Sequence, residues 1–416
     1  MTRFAMRTLI GVLLLIRCAI ADDFPVIKTI DFEGNDTTQP KVMLREMKLR
    51  VGDAADPAAI ERDRQAILDL GLFRWVSIHQ ERTEGGIHLV VSVREKYYIL
   101  PYPRLSGNTD LQYGYGAELR WNNILGLNHS LRTLISRSNL KREGYGLQTT
   151  YLADYYAPFV FDTPYNVELT GQHVLAPVTG TLSYNESFDY GQVLLTRHLG
   201  GRAASQGWNV GGGVLWQNED RWGDEAPPRY GHATAVVGVA TYRDVRFNVY
   251  SEEGVSYGTR VEAALKDVGS DYNYSSVTAF WTRYLHVGEK PHQSLHLQAD
   301  TGAFFNGPGV DGGHFNLGGS STMHGYKRYS LQGDAYYHLA ATFLRPVGWD
   351  FFRPEVILEA GNVFDEARDA SLSEIHWSLG VGARLRISWF VNFEMEAGVA
   401  LPIGSGRHLR FFGGKV

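Results

Sequence analysis

From Lys96 to Val416 the chain alternates with a period of two and shows no convincing helix. Tyr257, Thr259, Val261, Ala263 and Leu265 form one set, against Ser256, Gly258, Arg260, Glu262 and Lys266. The pattern repeats in Leu295, Leu297, Ala299 and Ala303 against His296, Gln298 and Asp300. It returns in Trp377, Leu379, Val381, Ala383, Leu385 and Ile387 against Ser378, Gly380, Gly382, Arg384 and Arg386, and in Phe393, Met395, Ala397, Val399 and Leu401 against Asn392, Glu394 and Glu396. One face is apolar and the other polar, which suits both a soluble sandwich and a membrane barrel. Strands are expected near residues 100, 116, 134, 150, 170, 193, 213, 236, 261, 280, 299, 339, 357, 382, 396 and 410. An even number returns the chain to its starting side, and the wide gap at 305–332 follows the eleventh strand.

Residues 24–96 follow different rules and read as a compact α+β unit of order β-α-α-β-β. Val26 to Phe32 predicts a strand ending at Gly34-Asn35, and Thr38, ahead of Pro40, is expected to cap a helix running to about Lys48. A second helix starts at Asp56-Pro57, buries Ile60, Ile67 and Leu70, and stops at Gly71. Trp75 to Gln80 and Ile87 to Val93 predict a hairpin through Glu84-Gly85-Gly86.

Composition narrows the choice. The 416 residues include 46 Gly, 12% aromatics, 20% charged residues and a single Cys, with a mean hydropathy of −0.22. This profile excludes a disordered chain, a disulfide framework, a four-thiolate zinc site and a helical membrane protein. Residues 1–21 read as a secretory signal: Arg3 and Arg7 at the start, an apolar core from Thr8 to Ile16, and Ala19-Ile20-Ala21 before the cleavage point. Arg17 fits poorly before a lipid-modified cysteine, so Cys18 is expected to leave with the signal. An exported, mildly acidic chain argues against nucleic acid as a partner. Transmembrane strands of ~10 residues recurring about every 20 residues fill the remaining length with about sixteen. The expectation is a mostly β protein: a 16-stranded antiparallel transmembrane β-barrel over 96–416 in the bacterial outer membrane, preceded by one α+β unit over 22–95 on the periplasmic side.

The residues then resemble a family. The helix-stop Gly71-Leu72-Phe73 followed by the hairpin resembles a POTRA domain. Asn316 to Asp334 (NLGGSSTMHGYKRYSLQGD) is similar to the Gly-Gly-Ser, Val-Arg-Gly-Phe/Tyr and Gly-Asp loop of the BamA and two-partner-secretion superfamily of outer-membrane barrels, the bacterial surface antigens. Arg243-Asp244 with Gly254, the Gly269-Ser270-Asp271 loop and Glu355 to Val363, similar to a Phe-x-Asp-x-Gly strand, extend the likeness. The resemblance implies that this loop folds into the lumen, where its Arg meets the acidic residue of that strand. Here Gly318, Gly319, Met323, His324, Gly325 and Tyr326 make the loop motif, with His324 at the Arg position, Glu359 at the Asp and Ile357 at the Phe. Strand parity turns Glu359 inward, and a His324–Glu359 pair is expected; the alternative gives the contact to Lys327 or Arg328. Imidazole titrates where guanidinium does not.

Pro101 and Pro103 stand two apart, so their missing N–H groups fall on one edge of the first barrel strand. With a tight turn at Gly107-Asn108 using the other edge, the deficient edge faces the last strand at Leu409 and Phe411. A weak seam is what the lateral gate implied by the resemblance requires; alternatively, the prolines mark a linker into the barrel. Val416 departs from the usual terminal aromatic. His292 and His296 are read as lumenal wall, Arg384 and Arg386 against Glu394 and Glu396 as a charge ladder, and Gly211 to Gly213 as a mid-strand packing site. No nucleophile with an oriented base is found, so neither enzymatic activity nor a metal or cofactor is expected.

Three functions remain. An assembly factor would receive unfolded clients on the edge strand Trp75, Val76 and Ile78 and insert them at the seam. A two-partner secretion pore is the second reading; such transporters resemble each other in two POTRA units and a plug helix. A passive porin is the third. The expected partners are the outer-membrane bilayer and unfolded or secreted polypeptides, with periplasmic accessory proteins left open.

Overall fold

Asp56 starts a helix because its Oδ1 accepts a hydrogen bond from Ala58 N at 3.0 Å while Pro57 fixes the first turn. That helix, α2 (Pro57–Asp69), packs with α1 (Pro40–Glu46) on a sheet of β1 (Ile27–Glu33), β2 (Phe73–Thr83) and β3 (Gly86–Glu95). The sheet order is β1-β3-β2, so β2 is an edge, and Met43, Ile67, Phe73, Val76 and Val91 fill the core. The computed structural model describes residues 24–107, 113–139, 146–179, 182–227, 231–307, 315–319, 321–404 and 408–415. The signal segment 1–21 with Cys18, Asn108 of the expected first turn, and Val416 lie outside the described residues.

Thr38 does not cap α1. Gln39 occupies the cap position without a side-chain bond, and the helix ends at Glu46, short of Lys48. The Thr38 hydroxyl is already engaged by Glu95, by Tyr98 Oη at 3.0 Å and by Asn123 Nδ2 at 2.8 Å, which turns it toward the barrel. The β2–β3 turn is also tighter than expected, with Thr83 paired to Gly86 and only Glu84-Gly85 between them.

The barrel sheet holds 16 strands. They are β4 (Ile99–Gly107), β5 (Tyr113–Ile124), β6 (His129–Asn139), β7 (Gln148–Ala157), β8 (Tyr165–Thr179), β9 (Ser183–His198), β10 (Gly207–Trp222), β11 (Gly231–Phe247), β12 (Glu252–Ala264), β13 (Tyr274–His286), β14 (Ser294–Phe305), β17 (Ala335–Leu344), β18 (Phe352–Phe364), β19 (His376–Arg386), β20 (Glu394–Ile403) and β21 (Arg410–Lys415). Each pairs antiparallel with its sequence neighbour, and β15 (Phe315–Leu317) with β16 (Leu331–Gly333) forms a separate hairpin between β14 and β17. Val356 and Leu358 are exposed while Glu355, Ile357 and Glu359 are buried, which sets an apolar face outside and a largely polar wall inside. Gly211 and Gly213 lie mid-strand in β10, where a Cβ would strike the carbonyls of Leu195 and Val193. His296 faces inward. His292 does not lie on a strand: it sits in the β13–β14 turn at φ 59° with Nδ1 bonded to Ser251 Oγ, because the strand only resumes at Ser294.

The N-terminal domain and the link that follows it lie across one end of the barrel, together bonded to five of its turns. Gln39 N reaches Gly126 O (3.0 Å) in the β5–β6 turn, Lys41 meets Asp162 (2.9 Å) in β7–β8, and Glu46 accepts from Ser205 N and Oγ (both 2.9 Å) in β9–β10. Asp69 accepts from Phe247 N (2.8 Å) at β11–β12, and Tyr97 N donates to Trp389 O (2.7 Å) in β19–β20. Gly126 makes the first contact possible, since at φ 72° a Cβ there would lie 2.1 Å from Thr37 O.

Candidate functional site: the lumenal loop and the seam

The β15–β16 hairpin carries residues 318–319 and 321–330 to the inner wall. Gly318 and Gly319 both take φ 108°, and a Cβ on Gly318 would lie 2.3 Å from Lys327 O, so the loop can fold on itself only with glycine there. Gly319 N donates to Tyr326 O (3.1 Å) and Tyr326 N to Met323 O (2.8 Å), closing the tip. Met323, fully buried, holds φ 51°.

Glu359 receives this tip. Its carboxylate accepts from Met323 N at 2.9 Å, His324 N at 2.7 Å and His324 Nδ1 at 2.9 Å, and His338 Nε2 approaches at 3.4 Å. With Glu359 only 2% exposed, these donors replace the water it has lost. Lys327 and Arg328 point away and are exposed, Arg328 lying over the Tyr329 ring. Gly325 N donates to Ser378 Oγ (2.8 Å), and a Cβ on Gly325 would come within 2.5 Å of Leu401 C. Tyr326 stands edge-on to His376 at 5.5 Å.

The other face of His324 meets Phe412, with ring centroids 4.5 Å apart. Phe412 packs in turn with Ile357 and Ala400. The tip therefore touches β18, β19, β20 and β21 together. Ile357 belongs to this apolar floor rather than to the charged cluster. Sequence reasoning missed Phe412, Ser378 and His338; the inward parity of β21, opposite to that of Phe411, was the signal available for Phe412.

Around the site the lumen wall is ionic. Arg384 lies between Glu355 (2.7 Å) and Glu396 (3.2 Å), and Arg386 bridges Glu394 and Glu252 (both 2.5 Å). Arg353 reaches Glu394 at 2.6 Å. On the opposite side of the seam, Glu118 gathers Arg104, Arg120 and Arg132. Such ladders fix side chains and field without doing chemistry. Among the described residues no group of three or more His, Cys, Asp or Glu is placed to hold a metal.

The seam itself carries no ladder. β4 and β21 are the two ends of the sheet and do not pair among the described residues. The β4–β5 ladder is continuous from Ile99↔Trp121 to Gly107↔Tyr113 and includes Pro101 and Pro103, whose missing donors therefore lie on the β21 side. Leu409 precedes β21 and Phe411 lies within it; both are exposed outward. At the domain end β4 is latched by rings, Tyr97 on Phe390 and Tyr102 on Phe393, each at 5.7 Å. On β2, Trp75 is half exposed, whereas Val76 is buried in the domain core and Ile78 packs against it, so these two offer only backbone to a partner.

The family model described as POTRA, surface antigen variable number repeat, matches residues 25–96. The outer membrane protein assembly factor BamA of Neorickettsia risticii is 28% identical over 145 residues, 33% of this chain and 18% of that protein. BamA of Nitratidesulfovibrio vulgaris is 37% identical over 70 residues, 17% of this chain and 9% of that protein. The chain thus spans less than a fifth of the length of the curated relatives it matches. Among solved structures, BamA from Haemophilus ducreyi lacking POTRA domains 1–3 superposes with a TM-score of 0.57 at 13% identity, covering 94% of this chain and 85% of that one. CdiB from Acinetobacter baumannii gives 0.63 at 12% identity, covering 95% and 74%. CdiB from Escherichia coli gives 0.62 at 13%, covering 95% and 77%.

Proposed function

We propose, for a chain in which a POTRA domain precedes a barrel with the fold of the BamA and two-partner-secretion superfamily, that it acts in the outer membrane as an insertion factor for β-barrel polypeptides. The domain then sits in the periplasm, where the free edge of β2 takes up an extended client, and the seam between β4 and β21 admits it to the bilayer. The seam, where β4 and β21 share no ladder among the described residues, carries this reading. An open sheet edge in hydrocarbon leaves N–H and C=O groups without partners, and a strand entering sideways supplies them. The protein needs no covalent chemistry of its own for this.

The test is insertion of a urea-unfolded eight-stranded outer-membrane barrel into vesicles that contain the protein. Faster folding than in empty vesicles, lost when cysteines placed on β4 and β21 are oxidised across the seam and regained on reduction, supports the reading. Equal rates in loaded and empty vesicles refute it.

A polypeptide-secreting pore is the second reading, favoured by the higher TM-scores of the two CdiB barrels. Against it stand the loop tip inside the lumen and the domain across its mouth. Passage of a polypeptide into the vesicle interior with the seam oxidised would select the pore.

A further inference from the structure

Arg246 is set on the outside of the barrel by parity. Along β11, Ala235, Val237, Val245 and Phe247 are buried whereas Val236 and Arg246 are exposed, so the even positions face outward. Tyr242 shares that face. Its ring lies 5.4 Å from Trp208 on β10 and 5.0 Å from Tyr257 on β12, centroid to centroid, which puts an aromatic band on the outer wall. Such bands mark the level where hydrocarbon gives way to headgroups. Arg246 stands four residues further toward the N-terminal domain, about 13 Å along a tilted strand, which brings its guanidinium to the phosphate level.

The domain closes on this spot. Gln65 Nε2 donates to Phe247 O at 3.1 Å and Asp69 accepts from Phe247 N at 2.8 Å, so α2 is pinned to the end of β11. Arg62, one turn before Gln65 on the same helix, is brought alongside Arg246. Arg202 arrives from the β9–β10 turn, its Nη2 3.1 Å from Asp244 and 3.5 Å from Asp69. Together Arg62, Arg202 and Arg246 line a cavity of about 170 Å³ with Glu61, Gln65 and Asp69.

The acids of this cavity are already spent. Glu61 binds Arg64 at 2.7 Å, and Asp69 holds Arg202, Gln206 Nε2 at 2.8 Å and Phe247 N. The arginines are not. Arg202 Nη2 is buried without an aligned hydrogen bond, Arg62 has only Asp63 at 3.9 Å, and Arg246 forms no ion pair among the described residues. Glu253, opposite Arg246 on β12, is exposed and lies outside the cavity. Guanidinium forks converging on a polar cavity suit phosphate.

We propose that this cavity is a site for the phosphate of an anionic phospholipid, whose headgroup is clasped between α2 and β11 while its acyl chains run up the outer wall past Tyr242. Basic pockets at a membrane surface take up headgroups in this way. The lipid then ties the domain to the barrel on the bilayer side. The proposal rests on the barrel lying in a bilayer with the domain beneath it, and holds whether or not the chain inserts clients.

The experiment is native mass spectrometry of the full chain released from nanodiscs of equal parts phosphatidylglycerol and phosphatidylcholine. One phosphatidylglycerol per chain, retained several-fold over phosphatidylcholine, is expected. Arg62→Gln with Arg246→Gln should bring the two lipids level. Both side chains are exposed, so the fold should be kept. Arg283→Gln, on the outward face of β13 beyond Trp281, should change nothing. Glu253→Gln removes the acid opposite Arg246 and should raise retention; a fall counts against the site. Equal retention of the two lipids by the parent, or an equal loss in Arg283→Gln, means that diffuse rim charge gathers the lipid and overturns the proposal. Excess inorganic phosphate is the last arm. Persistence of the lipid supports the headgroup as occupant, whereas a phosphate adduct in its place assigns the cavity to the free ion and overturns it.

Discussion

The imidazole of His324 and the ring of Phe412 lie 4.5 Å apart, centroid to centroid, at 60°. Through this contact a loop hung between β14 and β17 bears on the last strand of the barrel. Phe412→Ala removes a buried ring and should cost about 3 kcal/mol or more, read as a lower urea midpoint. Amide exchange should rise first along β21. His324→Ala should do less, because Glu359 keeps the two backbone donors. The double variant should fall short of additivity by about 1 kcal/mol; strict additivity would mean that loop and strand do not communicate.

Gly325→Ala tests whether the tip is seated as tightly as the geometry requires. The new Cβ would lie 2.5 Å from Leu401 C and 2.7 Å from its O, and a strand backbone cannot yield that much. The tip must lift, surrendering the bonds to Ser378 and Glu359, at a cost of about 2–4 kcal/mol. Gly414→Ala is the control: a Cβ there meets nothing within 4 Å. Its urea midpoint should stay close to that of the parent, while protease access to residues 318–330 should rise only in Gly325→Ala.

How much of this was legible in the sequence depends on how local the physics is. An apolar outer face and a polar lumen impose a period of two on every strand, and all sixteen expected centres fall inside barrel strands. The Asp56-Pro57 helix start was equally local. Parity even placed Glu359 inward. It could not show that two of the donors to Glu359 are backbone N–H groups, since these depend on how the tip folds and not on which side chains it carries. Thr38 was misread for a related reason: its hydroxyl would cap a helix in isolation, but Asn123, 85 residues away, competes for it. The docking of the domain is likewise invisible in the sequence, because Asp69 and Phe247 are 178 residues apart.

Arg353 and Arg386 both serve Glu394, yet their removal should differ. Arg353 is fully buried, and its Nε and Nη1 have no hydrogen-bond partner among the described residues, so its desolvation is poorly repaid. Arg353→Met leaves Glu394 bonded to Arg386 and should change stability by no more than about 1 kcal/mol in either direction. Arg386→Met deprives Glu252 as well as Glu394 and should cost about 3 kcal/mol or more. Urea midpoints that move equally would show that the two arginines are interchangeable, against the geometry.

The contact between the N-terminal domain and the barrel should be weakest near neutral pH. Burial against Ser205 raises Glu46 to about 7, despite the two bonds from Ser205 and the nearby Arg45, with Asp69 adding to the rise. Asp69 itself is raised by burial, against Phe247 N, Gln65, Arg202 and Gln206. Released into water, both carboxyls return to the ordinary range, so docking takes up protons: its contribution from these groups is complete at low pH and is lost as pH rises through about 7. Lys96 has the opposite sign. Burial, aided by Arg386 and Arg74 and opposed by Glu252, lowers it to about 7, so docking releases a proton; that contribution is complete above the ordinary lysine range and is lost as pH falls through about 7. The docked fraction should therefore trace a shallow minimum near pH 7, measurable as a distance distribution between spin labels at Glu84 and Leu199. Glu46→Gln should flatten the acid limb and Lys96→Met the alkaline limb. A curve that rises or falls steadily from pH 5 to 10 would mean that these groups keep their burial when the domain moves.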